Sequence, residues 1–275
     1  MIAEAPAETL IAMVLGSFVI ALVSHAFLVQ NRLYTTQALR TGVQDNVRSA
    51  TELVAREVRE AAQGGVVVAG PRTLTVRSPV AIGGVCYRQG STNADVMSEG
   101  GEAALDTDAI AGVAAWQDTA WAWQTASWGS LNGSDVTSAD NCASNGADTV
   151  GARGSFYRLV GLSTIFPGVQ AGDVVMLFRE TTFTIRTSQL DSTTLGLFRA
   201  DYGAAAVEFA TGIDTIAQFQ YRVGAGGYVD TVSASALASV DAVRFVAEAR
   251  RPPATGGTDP VTFGWAVNLA LRNVR

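Results

Sequence analysis

The 275-residue chain contains no lysine, and all nineteen of its basic residues are arginine. GC-rich codon usage accounts for that more simply than a selected arginine function. Charged residues are only 16% of the chain, the net charge is −6, and no basic cluster exists. Phosphate binding needs concentrated positive charge, so nucleic acid is excluded as the main partner. Histidine occurs once, at His25, which leaves the remainder of the chain unable to assemble a Ser-His-Asp or Cys-His nucleophile system. Cysteine occurs twice, Cys86 and Cys142 with 55 residues between them. Neither belongs to a Cys-x-x-Cys pair, so redox catalysis and zinc binding are both unsupported. No glycine-rich phosphate loop opens a helix. Asp106, Asp108, Asp118, Asp135 and Asp140 match no calcium-loop spacing and read as ordinary loop acids. No catalytic residue, metal site or cofactor is therefore expected.

What the chain does have is a charge-free apolar run from Leu10 to Val29. Twenty helical residues are about 30 Å long, one bilayer core. A cleaved signal peptide would carry a basic leader and a shorter apolar core, whereas Met1 to Glu8 is acidic. Ser24-His25-Ala26 resembles a cut site only weakly, and the helical pattern runs through it. The expectation is a retained single-pass anchor, with residues 1–8 as a short N-terminal segment and 9–29 as the span. Ala12 with Gly16, and Ser17 with Ala21, are small-xxx-small pairs that let a neighbouring helix approach closely. His25 lies inside the span near its outer end. It reads as an interfacial side chain, with pigment or metal contact as the sharper alternative.

The apolar run continues without a linker into an amphipathic helix, residues 30–63. Leu39, Val43, Val47, Ala50, Val54, Val58 and Ala61 recur at spacings of three and four and form one stripe. Arg48, Glu52, Arg56 and Glu60 alternate in sign every four residues on other faces, a solvated surface with i,i+4 support. Gly64 and Gly65 are expected to end the helix.

Residues 64–275 read as a β-rich domain. Val66–Ala69 and Thr73–Val76 flank Gly70-Pro71 as a hairpin. Further strands are expected at Phe156–Val160, Val174–Phe178, Thr182–Arg186, Thr194–Phe198, Ile216–Val223, Val240–Glu248 and Val261–Leu271, arranged as an antiparallel meander. The fold class is α+β, a long N-terminal helix packed on antiparallel sheet. Residues 86–142 stand out as an insertion in which Trp116, Trp121, Trp123 and Trp128 fall within thirteen residues. They form either an exposed partner surface or a loop whose rings bury one another. If the domain is extracytoplasmic, Cys86 and Cys142 pair as a disulfide, closing a loop that stabilises the fold by roughly 4 kcal/mol in the chain-entropy model. Two buried thiols are the alternative.

Several segments together resemble the type IV pilin-like proteins, specifically the minor pilin PilW and pseudopilin J group. Thr9-Leu10-Ile11 matches the Thr-Leu-Ile core of that family's processing motif. Gln44-Asp45-Asn46 and Leu53 to Ala61 resemble its helix after the membrane. Gly196 to Arg199, Ile213 to Tyr221, Val243 to Val246 and Ala270 to Asn273 resemble its later strands. The resemblance covers most of the chain and implies a long helix packed on antiparallel sheets outside a bacterial inner membrane. It also decides orientation. Arg32 and Arg40 after the span favour a cytoplasmic C-terminal side by the positive-inside rule, while the family implies a periplasmic one.

The departures from the family are specific. Ala7 stands where the family has its cleavage-site glycine, Glu8 follows it, and no basic leader precedes it. Ala12 replaces the glutamate that the family uses in filament assembly. These differences imply a non-catalytic, unprocessed structural subunit, co-opted to scaffold an inner-membrane complex. Its partners would be the membrane and other membrane-protein subunits. A photosynthetic reaction-centre and light-harvesting assembly is one such host, with His25 the conceivable pigment contact. The alternative is a genuine minor pilin or pseudopilin that primes or caps a pilus or secretion pseudopilus.

Overall fold

The computed structural model describes residues 5–89, 93–98, 110–117, 120–125, 155–159, 169–251 and 261–271. Helix α1 (Ala5–Glu60) is a single element of 56 residues, about 84 Å long at 1.5 Å per residue. Pro6 sits in its first turn, where a missing N–H has no partner to lose. The two halves of α1 have opposite surroundings. From Leu10 to Tyr34 the large apolar side chains are exposed on every face. From Val43 onward the expected stripe is buried, with Val43, Val47, Ala50, Val54, Val58 and Ala61 each at most 1% exposed. Leu39, at the upper end of the stripe, is half-buried.

The helix stops at Glu60, three residues earlier than expected, and the glycines do the turning. Gly64 has φ +74°, a left-handed backbone that glycine adopts without a Cβ penalty. The Gly65 N–H donates to the Ala62 carbonyl at 2.9 Å. A Cβ on Gly65 would lie 2.8 Å from the Ala62 oxygen and 2.9 Å from the Arg77 oxygen, both backbone atoms that cannot step aside.

The strands are β1 (Val66–Gly70), β2 (Thr73–Gln89), β3 (Asn93–Ser98), β4 (Gly112–Gln117), β5 (Ala120–Thr125), β6 (Ser155–Leu159), β7 (Val174–Thr187), β8 (Leu195–Asp201), β9 (Val207–Ile213), β10 (Gln218–Val223), β11 (Tyr228–Val229), β12 (Val240–Arg251) and β13 (Val261–Ala270). All pair antiparallel in one sheet, in the order β11-β10-β12-β9-β8-β7-β2-β3-β6; β1 pairs β2, β13 pairs β12, and the β4–β5 hairpin joins β7. The α+β class is as expected. The topology is not a simple meander, because β12 pairs both β10 and β9 along one edge while β13 takes its other edge, and β2 pairs β7 across a long excursion.

Several strand boundaries also differ. The expected strands Val174–Phe178 and Thr182–Arg186 are one strand, β7, because Arg179 to Thr181 continue its ladder opposite Val76 to Ser78. β2 runs on past Val76 to Gln89, with a register shift at Pro79 to Ala81 that accommodates the missing donor. The hairpin at Gly70-Pro71 forms as expected, with Gly70 opposite Thr73.

The stripe of α1 lies on the sheet. Val43, Val47, Ala50, Val54 and Val58 share a core with Leu74, Phe183, Ile185, Leu197, Phe219, Tyr221, Phe245 and Leu269. A second core unites β2, β3, β4 and β7 through Val85, Val96, Val113, Val175 and Leu177. The turn between β1 and β2 is pinned to β10. The Tyr221 hydroxyl donates toward the Gly70 and Thr73 carbonyls at 2.9 and 3.0 Å, and the Phe219 N–H donates to the Pro71 carbonyl at 2.8 Å.

Candidate functional site

The candidate site is the set of surfaces and joints by which this molecule meets other things. The first is the apolar half of α1. It holds a stretch of mean hydropathy 2.3 of which none is buried, long and apolar enough to cross a membrane. Water would charge heavily for such a surface, at about 25 cal/mol per Å² of apolar area, whereas a helix satisfies all its own backbone groups and is at home in lipid. Ser17 hides its hydroxyl by donating to the Val14 carbonyl at 2.8 Å. Just beyond the span, Thr35 and Thr36 donate to the Arg32 carbonyl at 3.0 and 2.8 Å.

Ala12, Gly16, Ser17, Ala21 and His25 all lie on this half. At about 100° per residue, Ala12 and Gly16 face one side while Ser17 and Ala21 face nearly the opposite one. The two small-residue pairs therefore make two shallow notches, not a single seam. His25 is exposed one turn beyond Ala21 and continues the Ser17–Ala21 side.

The joint between helix and sheet is the feature that the spacing of residues concealed. Glu57 is completely buried. One terminal nitrogen of Arg179, on β7, donates to its two carboxylate oxygens at 3.0 and 2.9 Å. Arg199, on β8, lies 3.5 Å away, and Arg56 lies 3.4 Å away. Ser78, on β2, donates to the Glu57 backbone carbonyl at 3.2 Å. Arg179 also reaches Glu60 at 3.3 Å, and Arg199 is held by Asp201 at 3.0 Å. A buried charge is tolerated only when paired, and here three strands and the helix meet on one carboxylate. The signal was present: Val54, Glu57, Val58 and Ala61 follow the i, i+3, i+4, i+7 pattern of a core face. Of the expected charged ladder, Arg48 and Glu52 pair on the surface at 2.8 Å, whereas Glu60 turns inward to Arg179.

The tryptophan group divides. Trp116 and Trp121 face each other across the β4–β5 hairpin, edge to face at 5.4 Å. Trp116 is 52% exposed, while Trp121 and Trp123 are half-buried against Ala62, Ala111, Ala114, Met176 and Phe178. Trp123 sits edge-on to Phe178 at 5.1 Å, and the Arg77 guanidinium covers both rings at 5.8 and 5.0 Å. Residues 112–117 and 120–125 are thus a paired hairpin docked on β7. Gly112 makes the docking possible, because a Cβ there would overlap the Gln124 carbonyl and the Phe178 ring.

Cys86 is buried on β2 and disulfide-bonded. Cys142, Trp128, Asp106, Asp108, Asp118, Asp135 and Asp140 lie outside the described residues, as do the side chains of Ala7 and Glu8. Among the described residues no group of three or more His, Cys, Asp or Glu side chains is placed to hold a metal. Compared with known proteins, the chain matches no family model, no curated protein and no solved structure.

Proposed function

We propose that this chain is a non-catalytic, single-pass structural subunit of a bacterial inner-membrane assembly, a pilin-like protein with its β domain in the periplasm. The observation that carries the reading is the division of α1. Its first half is apolar and wholly uncovered, and its second half is locked to the sheet by the stripe and by Glu57. A helix so divided transmits position from a bilayer to a folded domain. Ala7, Glu8 and Ala12 support a subunit that stays fixed in the membrane, since they replace the cleavage glycine and the assembly glutamate of the pilin pattern. A photosynthetic reaction-centre complex is one host in which exposed His25 would find a pigment.

The test is purification of the tagged chain from membranes in mild detergent, with mass spectrometry of its N-terminal peptide. The expected result is constant-ratio copurification with integral membrane proteins and an unmethylated N-terminal region. Recovery in sheared pilus fractions, with a methylated residue after a removed leader, would make it a minor pilin. Recovery only as free protein would end the subunit reading. Bound pigment in the purified complex, seen in its absorption spectrum, tests the photosynthetic host.

A further inference from the structure

The fifth tryptophan, Trp265, lies on β13, whose outer side faces no other strand among the described residues. Leu271 donates to the Asp241 carbonyl at 3.0 Å, and the ladder from there to Val261 has no register shift. In an antiparallel ladder inward and outward N–H groups alternate, so odd residues of β13 bond β12. The N–H groups of Thr262, Gly264, Ala266, Asn268 and Ala270 point to the open edge. Natural edge strands are usually protected by charge, proline or a bulge. The ten residues of β13, Val-Thr-Phe-Gly-Trp-Ala-Val-Asn-Leu-Ala, have none of these.

Beside that edge, α1 and the inner face of β13 leave a groove of about 1220 Å³. Phe263, Trp265 and Val267 form its sheet side, and Thr51 and Ala55 form its helix side. Trp265 is 52% exposed although it is on the face that packs against the helix. Thr51 is only 7% exposed, and its hydroxyl has no hydrogen-bond partner. A buried polar group left unpaired costs about 1–3 kcal/mol, so this one points to a missing group. The groove is also electrically polar along its length. Asp45 stands toward the membrane end and Arg59 toward the far end, about 21 Å apart along the helix, and neither is in an ion pair among the described residues.

We propose that β13 and this groove receive an extended segment of a different protein, added as a further antiparallel or parallel strand. Its backbone pairs with the five outward N–H groups and the carbonyls beside them, which is strand addition. Alternate apolar side chains cover Trp265 and Phe263, and a polar group satisfies Thr51. A basic residue at one end meets Asp45, and an acidic residue at the other meets Arg59. A second copy of this chain fits poorly. Pairing β13 with its own copy places a two-fold axis normal to the sheet, and because α1 lies along the sheet, that rotation sends the second anchor away from the membrane holding the first. This exclusion rests on the membrane reading proposed above; the open edge and the groove do not.

Fluorescein-labelled ten-residue peptides, Arg-(Val-Thr)4-Glu and the reverse sequence, are the probes, added to the full chain in detergent micelles. At least one is expected to bind saturably by anisotropy and to slow hydrogen exchange at Thr262, Gly264, Ala266, Asn268 and Ala270. Ala266→Pro removes one outward donor and leaves the β12 ladder intact, so it should weaken binding tenfold or more without lowering the Tm. Trp265→Ser should weaken it similarly from the groove side. The proposal is overturned if neither peptide protects those amides, or if Ala266→Pro and Trp265→Ser bind both peptides as the parent does. It is also overturned if the edge becomes protected with rising protein concentration alone, because a second copy then occupies it. The result is independent of whether the chain copurifies with membrane proteins, so the two readings fail separately.

Discussion

Arg179 meets Glu57 through a single terminal nitrogen, 2.9 Å from one carboxylate oxygen and 3.0 Å from the other. The carboxylate is fully buried and the guanidinium mostly so, with 27% of its side chain exposed. Removing the carboxylate leaves Arg179 and Arg199 facing each other without their shared partner. Glu57→Ala is expected to destabilise the domain by about 3–5 kcal/mol, and Glu57→Gln by less, since an amide oxygen still accepts. Chemical denaturation of the detergent-solubilised chain measures both. A Glu57→Ala protein as stable as the parent would mean that the stripe alone holds α1 to the sheet.

Tyr221 sets an upper limit on pH. Burial pushes its phenol well above the ordinary value of about 10, because the charged form is desolvated while the neutral form keeps its bonds to Gly70 and Thr73. The folded state thus retains a proton that the unfolded chain releases. Its contribution is complete below pH about 10 and falls as pH rises beyond that. Thermal melts across pH 8–12 should show a decline that is shallower in Tyr221→Phe. That variant should also lose about 1–2 kcal/mol at neutral pH through the two unpaired carbonyls.

The division among the tryptophans predicts unequal truncations. Trp116→Ala removes an exposed edge-to-face partner and should cost about 1 kcal/mol. Trp123→Ala opens a hole beside Phe178 and should cost about 3 kcal/mol. Trp123→Phe should be nearly neutral, since the buried indole N–H it discards has no hydrogen-bond partner. Denaturant midpoints that rank Trp116→Ala below Trp123→Ala would contradict the hairpin's docking on β7.

Cys86 is disulfide-bonded, and Cys142 is the only other cysteine in the chain. Peptide mapping without reductant should recover one linked Cys86–Cys142 fragment. Reduction should lower stability by about 4 kcal/mol if loop closure dominates. A reductant-sensitive dimer on gels would assign the bridge between two chains instead.

What the residues announced and what they hid follow from the range of the forces involved. The stripe from Val43 to Ala61 was legible because helical periodicity repeats every few residues, and the Gly70-Pro71 hairpin because its partners are adjacent in sequence. β7 was split because Arg179, Glu180 and Thr181 look like a polar turn. In the fold their side chains bond Glu57, Arg77 and Asp201, contacts from residues far away in sequence. β9 escapes notice because Glu208, Ala210 and Gly212 have weak strand propensity; it is held by pairing Val207, Glu208, Ala210 and Ile213 with β8. Glu57 was overlooked for a related reason. Its arginines lie on β7 and β8, so the local hint, its place on the stripe beside Val54, Val58 and Ala61, says nothing of the partners that let a carboxylate be buried there. Nor does sequence say which strand lacks a neighbour, and the open side of β13 depends wholly on topology.

The stretch of α1 between Val29 and Val43 belongs to neither of its two environments. It amounts to about 20 Å of helix with no wholly buried residue, a bare shaft between bilayer and domain. Mechanically it is a stand-off post. In the membrane placement proposed above, it lifts the sheet clear of the lipid headgroups. Because the post is an unbroken helix, height and heading are coupled: inserting four residues would raise the domain by about 6 Å and swing it by about 40°. Seven residues would raise it further yet swing it by only about 20°. The post thus sets both the altitude and the azimuth at which the open edge of β13 is presented.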